Sequence, residues 1–241
     1  MESDPLFSDD QLPLPAREVM PGVVHLPGWL SHDQQRFLVR RFEQWGADPQ
    51  GIPPHHPEVF GHPMSVRLTS LGWHWDNDRY TRTAEEFGGA QALPIPDWMI
   101  RLGRRAMAEA FAPEVARSWP ERMGAAERAE WAASYTPDVA LVNYYAPHAS
   151  MGMHQDKVER CDMPIVSLSI GDTAVFRAGN TVSATQPYTD VLLASGDLIV
   201  FGGPSRFMFH GVPKILPGTG PTEVGVQRGR FNLTLRQTGL K

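Results

Sequence analysis

The chain has one cysteine, Cys161, in 241 residues. That excludes an internal disulfide, a zinc ribbon and any cluster ligated by several thiolates, and it reads as the composition of a protein from a reducing compartment. A long apolar run is missing too: nothing approaches the roughly 18 consecutive apolar residues of a membrane-spanning helix. The opening residues, Met1-Glu2-Ser3-Asp4-Pro5, are acidic where a signal peptide would be basic. The expected setting is therefore cytoplasmic, with no membrane contact. Lysine is scarce: 19 of the 22 basic residues are arginine, and 27 acidic residues leave a net charge of −5. A globally basic nucleic-acid coat is excluded, whereas a local basic face is not. Residues 201–241 carry six basic side chains against Glu223 alone, so this C-terminal stretch can serve anionic ligands.

What is present has a clear order. The stretch from Met1 to Pro21 is polar and proline-rich and is expected to form an arm. Ser31 reads as the N-cap of a helix running to about Trp45, because Phe37, Leu38, Phe42 and Trp45 recur at helical spacing. A second helix fits Asp97 to Phe111, with Trp98, Leu102, Ala106 and Phe111 on one side, and a third short one fits residues 113–132. From Val139 the texture changes to short β-rich runs: Val139–Tyr145, Ile165–Ile170, Ala174–Arg177, Val191–Ala194, Leu198–Phe201, Phe207–His210 and Phe231–Leu235. Helices first and close-spaced strands second predict an α+β layout in which helices buttress a sandwich or barrel. The expected organisation is an arm over 1–21, a helical buttress over 22–138 and a β-core over 139–241, acting as one functional domain.

The chemistry starts at His154-Gln155-Asp156. In an extended segment residues i and i+2 point to the same side, so one imidazole and one carboxylate can converge on a metal. The motif alone carries little weight, since the chain also holds His74-Trp75-Asp76 and His56-Pro57-Glu58. What distinguishes His154 is its company: a preceding strand bearing Asn143 and Tyr145, and a later candidate ligand, His210. Two histidines and a carboxylate on one face of a metal make the non-haem Fe(II) oxygenase site. His55, His56 and His62 lie in a proline-rich stretch that reads as a loop, and no metal is assigned to them.

In the last strand, alternation puts Arg230, Asn232, Thr234 and Arg236 on one face and Phe231, Leu233 and Leu235 on the other. Six residues of strand span about 20 Å, and arginine side chains reaching inward from both ends by roughly 6 Å leave a gap of about 8 Å. That gap suits a five-carbon dicarboxylate such as 2-oxoglutarate.

These residues together resemble the AlkB family of Fe(II)- and 2-oxoglutarate-dependent dioxygenases. The match is Asn143-x-Tyr145-x-Pro147, then His154-x-Asp156, then His210, then Arg230-x-Asn232-x-Thr234-x-Arg236, over about residues 62–238. The words His-Gln-Asp-Lys at 154–157 and Gly202-Gly203-Pro204-Ser205-Arg206 match too. The resemblance implies a double-stranded β-helix, or jelly roll, with Fe(II) held by His154, Asp156 and His210. It implies that Asn143, Tyr145, Arg230, Asn232 and Arg236 hold 2-oxoglutarate, and that a nucleotide-recognition lid covers about residues 62–82, with Trp73 stacking on the substrate base and Tyr80 beside it. The implied reaction consumes O2 and 2-oxoglutarate, gives succinate and CO2, and hydroxylates an N-methyl group that then leaves as formaldehyde. Substrates would be 1-methyladenine and 3-methylcytosine in DNA, or else RNA, taken single-stranded or as a flipped base. Separately from the resemblance, nothing in the sequence suggests an obligate oligomer, and a monomer is expected.

One departure stands out. The position two after Asp156, often acidic in bacterial members and facing the base, is Val158, followed by Glu159. Asp76 and Glu159 are the acids that would have to replace it. Arg67, Arg79, Arg82 and Arg160 are candidate phosphate contacts. Two rival expectations remain: a 2-oxoglutarate oxygenase acting on a small molecule or protein side chain, and a jelly-roll sensor that binds without turnover.

Overall fold

The structure, a computed structural model, describes residues 14–59, 61–76 and 79–240; the first part of the expected arm lies outside them. Helix α1 (His32–Ala47) begins at Ser31, whose hydroxyl accepts from the Gln34 amide while the Gln34 side chain accepts from the Ser31 amide. This reciprocal pair fixes the helix start where two N–H groups would otherwise be unpaired. Leu38, Val39, Phe42 and Trp45 are buried. Phe37 is not: it is 41% exposed and meets Trp98 edge to face. Helix α2 (Asp97–Ala110) buries Met99, Gly103, Ala106, Met107 and Ala110, so its inner face is rotated from the expected Trp98/Leu102 side. Helix α3 (Ala125–Ser134) starts twelve residues later than expected. The preceding carbonyls of Phe111, Ala116, Pro120 and Met123 are instead collected by the guanidinium of Arg128. A side-chain hub of that kind satisfies backbone acceptors without a helix.

Two antiparallel sheets follow. The larger runs Arg17–Met20, Val23–Leu26, Leu198–Phe201, Ile165–Gly171, Arg230–Arg236, Val139–Tyr145, Val66–Leu71. The smaller runs Met151–His154, His210–Leu216, Thr173–Ala178, Thr189–Leu193. Three strands of the larger sheet thus come from before residue 139, where the sequence pattern suggested only arm, helices and lid. Val23, Val66, Tyr145, Ile165, Ile199 and Phe201 of the larger sheet pack against Ala174, Phe176, Val191, Leu193, Val212 and Ile215 of the smaller. The larger sheet's other face, with Ala140, Val142, Val166, Leu168, Leu233 and Leu235, packs on the three helices. The layers are helices, large sheet, small sheet: a jelly roll buttressed on one side.

The expected strand Phe207–His210 is a correction. The chain makes a 3-10 turn at Gly203–Ser205, continues turning through the Met208 amide bonded to the Ser205 carbonyl, and becomes a strand only at His210, running to Leu216. The strand Met151–His154, too short and glycine-containing to stand out in the sequence, pairs with it through a bulge.

Candidate active site

Pairing in the larger sheet sets Asn143 opposite Asn232 and Tyr145 opposite Arg230, while Ser169 and Ser167 flank Asn232 and Thr234 from the other side. The polar face of Arg230–Arg236 therefore does not meet solvent; it turns into a cavity of about 700 Å³ between the sheets. The same cavity is lined by Asn143, Tyr145, His154, Gln155, Asp156, Val158 and His210.

His154 and Asp156 end and follow the strand Met151–His154; His210 begins its neighbour, directly across from His154. One donor atom from each of His154, Asp156 and His210 lies within 4.8 Å of the other two, the only such group of three among the described residues. Asp156 Oδ1 is 3.8 Å from His154 Nε2, and its Oδ2 is 3.6 Å from His210 Nε2. Each Nδ1 faces a carbonyl, Gly152 for His154 and Met208 for His210. A carbonyl only accepts, so the Nδ1 atoms donate and both Nε2 lone pairs point at the centre. Burial, with His154 close by, pushes His210 down to about 4, leaving a neutral imidazole at physiological pH. Burial works to raise Asp156, but Arg236, His210 and His154 outweigh it and hold the carboxyl well below the usual range. Asp156 Oδ2 is buried without a hydrogen bond, although Arg236 Nη2 stands 2.9 Å away as an ion pair. Two imidazole nitrogens and one carboxylate drawn together in this way fit a divalent metal such as Fe(II).

Arg230 is 1% exposed; it donates to Ser169 Oγ at 2.8 Å, and its Nε and Nη1 have no partner. A buried guanidinium with two idle donors is costly unless an anion completes it. Asn232 donates to Ser167 Oγ and the Leu168 carbonyl, which orients its oxygen toward Thr234 and Asn143. Arg236 is tied more tightly: Nη1 donates to Tyr80 and to Glu159, each at 3.0 Å, and Nη2 pairs with Asp156. Glu159 also accepts from Tyr80 and pairs with the buried Arg206. Glu159 and Arg206 escaped the sequence reading in this role, because their partners lie tens of residues away in sequence. The one available signal was an acid and a base beside recognised motif positions.

The lid residues divide. The chain leaves the larger sheet at Gly72, where φ is +80° and a Cβ would fall 1.9 Å from the Asp138 carbonyl oxygen. It then forms the hairpin His74–Asp76 with Arg79–Thr81. Trp75 lines the cavity and Trp73 does not. Trp73 is buried against Tyr80, Val139 and Leu141, and the Arg82 guanidinium lies 3.4 Å from its ring centroid. Tyr80 is likewise behind the wall, in the Glu159–Arg236 network. His74 is buried and bonded to Glu86, and Asp76 is paired with Arg79, so neither joins the metal group. Glu159 and Asp76 are both engaged elsewhere, so the cavity wall at Val158, Trp75, Leu141 and Leu68 is apolar. Among the histidines of the proline-rich loop, only His62 reaches the cavity rim.

The fold and the site define a class, and comparison gives it a name. The profile of the 2OG-Fe(II) oxygenase superfamily matches residues 22–236. The alpha-ketoglutarate-dependent dioxygenase AlkB homolog of Caulobacter vibrioides is 37% identical over 227 residues, covering 91% of this chain and 89% of that one. The chain belongs to the AlkB family of the 2OG-Fe(II) oxygenase superfamily. The Arabidopsis thaliana DNA N(6)-methyladenine demethylase ALKBH1D is 32% identical over 90% of this chain and 50% of its own length. This chain thus spans about half the length of that relative. The solved structure of OsALKBH1 superposes with a TM-score of 0.78 at 34% identity, covering 92% of this chain and 100% of the other.

Proposed function

We propose that this protein is an Fe(II)- and 2-oxoglutarate-dependent dioxygenase that oxidatively demethylates nucleobases in nucleic acid, acting as a cytoplasmic monomer. The observation that carries the reading is the convergence, in one cavity, of the His154/Asp156/His210 donors and the idle buried guanidinium of Arg230. His154, Asp156 and His210 would hold the iron. Arg230, with Tyr145 beside it, would receive one carboxylate of 2-oxoglutarate, and Arg236, Asn143 and Asn232 would hold the other end. When bound, iron with 2-oxoglutarate and O2 supplies the power to oxidise an unactivated C–H bond, which no side chain here supplies.

The residues do the rest. Arg236 bridges Asp156 to Glu159, so the carboxylate keeps one orientation whatever else enters the cavity. The apolar wall of Trp75, Leu141 and Val158 offers a flat base a contact surface and excludes water from the reacting carbon. Leading substrates are 1-methyladenine and 3-methylcytosine in single-stranded DNA, with RNA as the alternative polymer. N6-methyladenine is a second reading, favoured by the uncharged wall at Val158 and by the activity named for the Arabidopsis relative.

The test is mass spectrometry of single-stranded oligonucleotides carrying each base after incubation with protein, Fe(II), 2-oxoglutarate and air. A loss of one methylene mass that is absent with His154→Ala supports the reading. Succinate formation with no change in any oligonucleotide would retain the oxygenase core and overturn the nucleic-acid substrate.

A further inference from the structure

His74 is buried between two tryptophans in the chain, Trp73 and Trp75, and belongs to neither the metal group nor the cavity lining. The pairing of the flap shows what it does face. Trp75 lies directly across from Tyr80 and His74 from Thr81, so Trp75 and Tyr80 share one face of the hairpin and His74 projects from the other. The first face is held through Tyr80, which donates to Glu159 at 2.8 Å and accepts from Arg236 at 3.0 Å. The second is closed over His74 by two other segments. His74 Nε2 is 2.8 Å from Glu86 Oε1, the His74 ring centroid is 5.9 Å from that of His55, and the His55 ring is 4.7 Å from Phe87.

Both covering segments are themselves fixed. His55 exchanges two backbone hydrogen bonds with Leu68 of the strand Val66–Leu71, and Glu86 sits in the 3-10 turn Glu85–Phe87, closed by the Gly88 amide donating to the Glu85 carbonyl. The partners also place the proton on His74. An ionised carboxylate only accepts, so Nε2 carries the hydrogen and donates to Glu86. Nδ1 is buried with no partner among the described residues, and a second N–H there would be stranded. His74 is therefore the neutral Nε2–H tautomer, and removing Glu86 would leave both ring nitrogens of a buried imidazole without a hydrogen bond. The Glu86 side chain is itself 48% exposed and lines no part of the cavity.

We propose that the His74–Glu86 hydrogen bond is a latch on the back of the flap, and that these two are positioning residues that hold Trp75 against the cavity. Its effect on catalysis rests on the nucleic-acid reading above, in which Trp75 meets the substrate base. The flap pairs one three-residue strand with another, and a ribbon of that size does not keep its own shape in water; its orientation is set by what clamps it. Tyr80 clamps the strand Arg79–Thr81 from the front. His74 clamps the strand that carries Trp75 from behind, one residue away. Releasing the latch lets Trp75 leave its place in the wall without touching the metal donors or the 2-oxoglutarate cradle, so the base is captured less well while the chemistry stands.

The experiment uses the full chain and changes Glu86 rather than His74, since a half-exposed side chain can be altered without opening the core. The first readout needs no substrate: the protein is labelled with 5-fluorotryptophan, and the fluorine NMR line of Trp75, one of seven tryptophans, is assigned by its loss in Trp75→Phe. Glu86→Ala is expected to shift and broaden that line, and Glu86→Gln, which keeps an oxygen for the His74 N–H, to restore it. The second readout is demethylation of a single-stranded oligonucleotide carrying the methylated base. Glu86→Ala is expected to raise KM about fivefold, the range of one hydrogen bond, with kcat nearly unchanged, and to add nothing further in the Trp75→Ala background, where independent sites would add. A Trp75 line indifferent to Glu86→Ala, a Glu86→Gln variant that fails to restore it, or KM increases that add in the double variant would each overturn the latch. Succinate formation with every oligonucleotide untouched, beside the expected fluorine response, would retain the latch and overturn the nucleic-acid reading.

Discussion

At Arg236 one guanidinium touches Asp156, Glu159 and Tyr80, and Glu159 passes the contact on to Arg206. Four ionised groups share a dry space, so removing one strands the others. Glu159→Ala is expected to destabilise the protein by about 3–5 kcal/mol in denaturant unfolding, because two buried guanidiniums lose a counter-charge; Glu159→Gln, which keeps an acceptor, is expected to cost less. Among the metal donors, His154→Ala, Asp156→Ala and His210→Ala are each expected to abolish Fe(II) binding by titration, while His74→Ala retains it, because His74 is spent on Glu86. The motif residues were legible because alternation and spacing are local properties: Arg230, Asn232 and Arg236 announced themselves by lining one face without an acid. Glu159 was not legible as Arg236's partner. The pairing spans 77 residues and exists only once the last strand sits in the middle of the sheet.

At the level of elements, the hairpin His74–Asp76/Arg79–Thr81 shows where resemblance and geometry part. The family resemblance pointed to Trp73 in the lid as the stacking residue; the turn at Gly72 sends Trp73 inward and brings Trp75 to the cavity. Trp75→Ala is expected to raise KM for the methylated oligonucleotide about tenfold while leaving the melting temperature nearly unchanged. Trp73→Ala is expected to lower stability by about 3 kcal/mol or more, as loss of a buried indole does. A reversed pattern in paired melting and kinetic measurements would return Trp73 to the substrate. Helix α1 and the strands Val139–Tyr145 and Leu198–Phe201 were readable nearly to the residue, since an N-cap serine before helically spaced apolar residues and short β-rich runs between turn residues are strong local signals. Met151–His154 was not, because a four-residue strand with a glycine owes its form to the partner strand.

For the whole molecule, the buried site couples stability to pH. Free histidine titrates near 6.5, and His210 in the fold near 4, so the folded metal-free protein must refuse a proton that the unfolded chain accepts. Stability is therefore full above about 6.5 and falls as pH drops toward 4, by about 3 kcal/mol at most from this group. Asp156, held low in the fold, extends the loss as pH falls below the ordinary carboxylate range. Melting temperature against pH is the check; His210→Gln should flatten the slope between 6.5 and 4. Among the described residues, no helix is long and apolar enough to cross a membrane.

The strand Arg230–Arg236 has a neighbour on each side over nearly its whole length, with the helical layer behind it and the cavity in front, whereas the Trp75 hairpin is a two-stranded flap. Inheritance can therefore act on the two at different speeds. Substitutions at Trp75, the flap residue that lines the cavity, are expected to alter what enters it without disturbing the centre, and those in the strand to forfeit the chemistry and the fold together, so descendants of such a scaffold would change diet before metabolism.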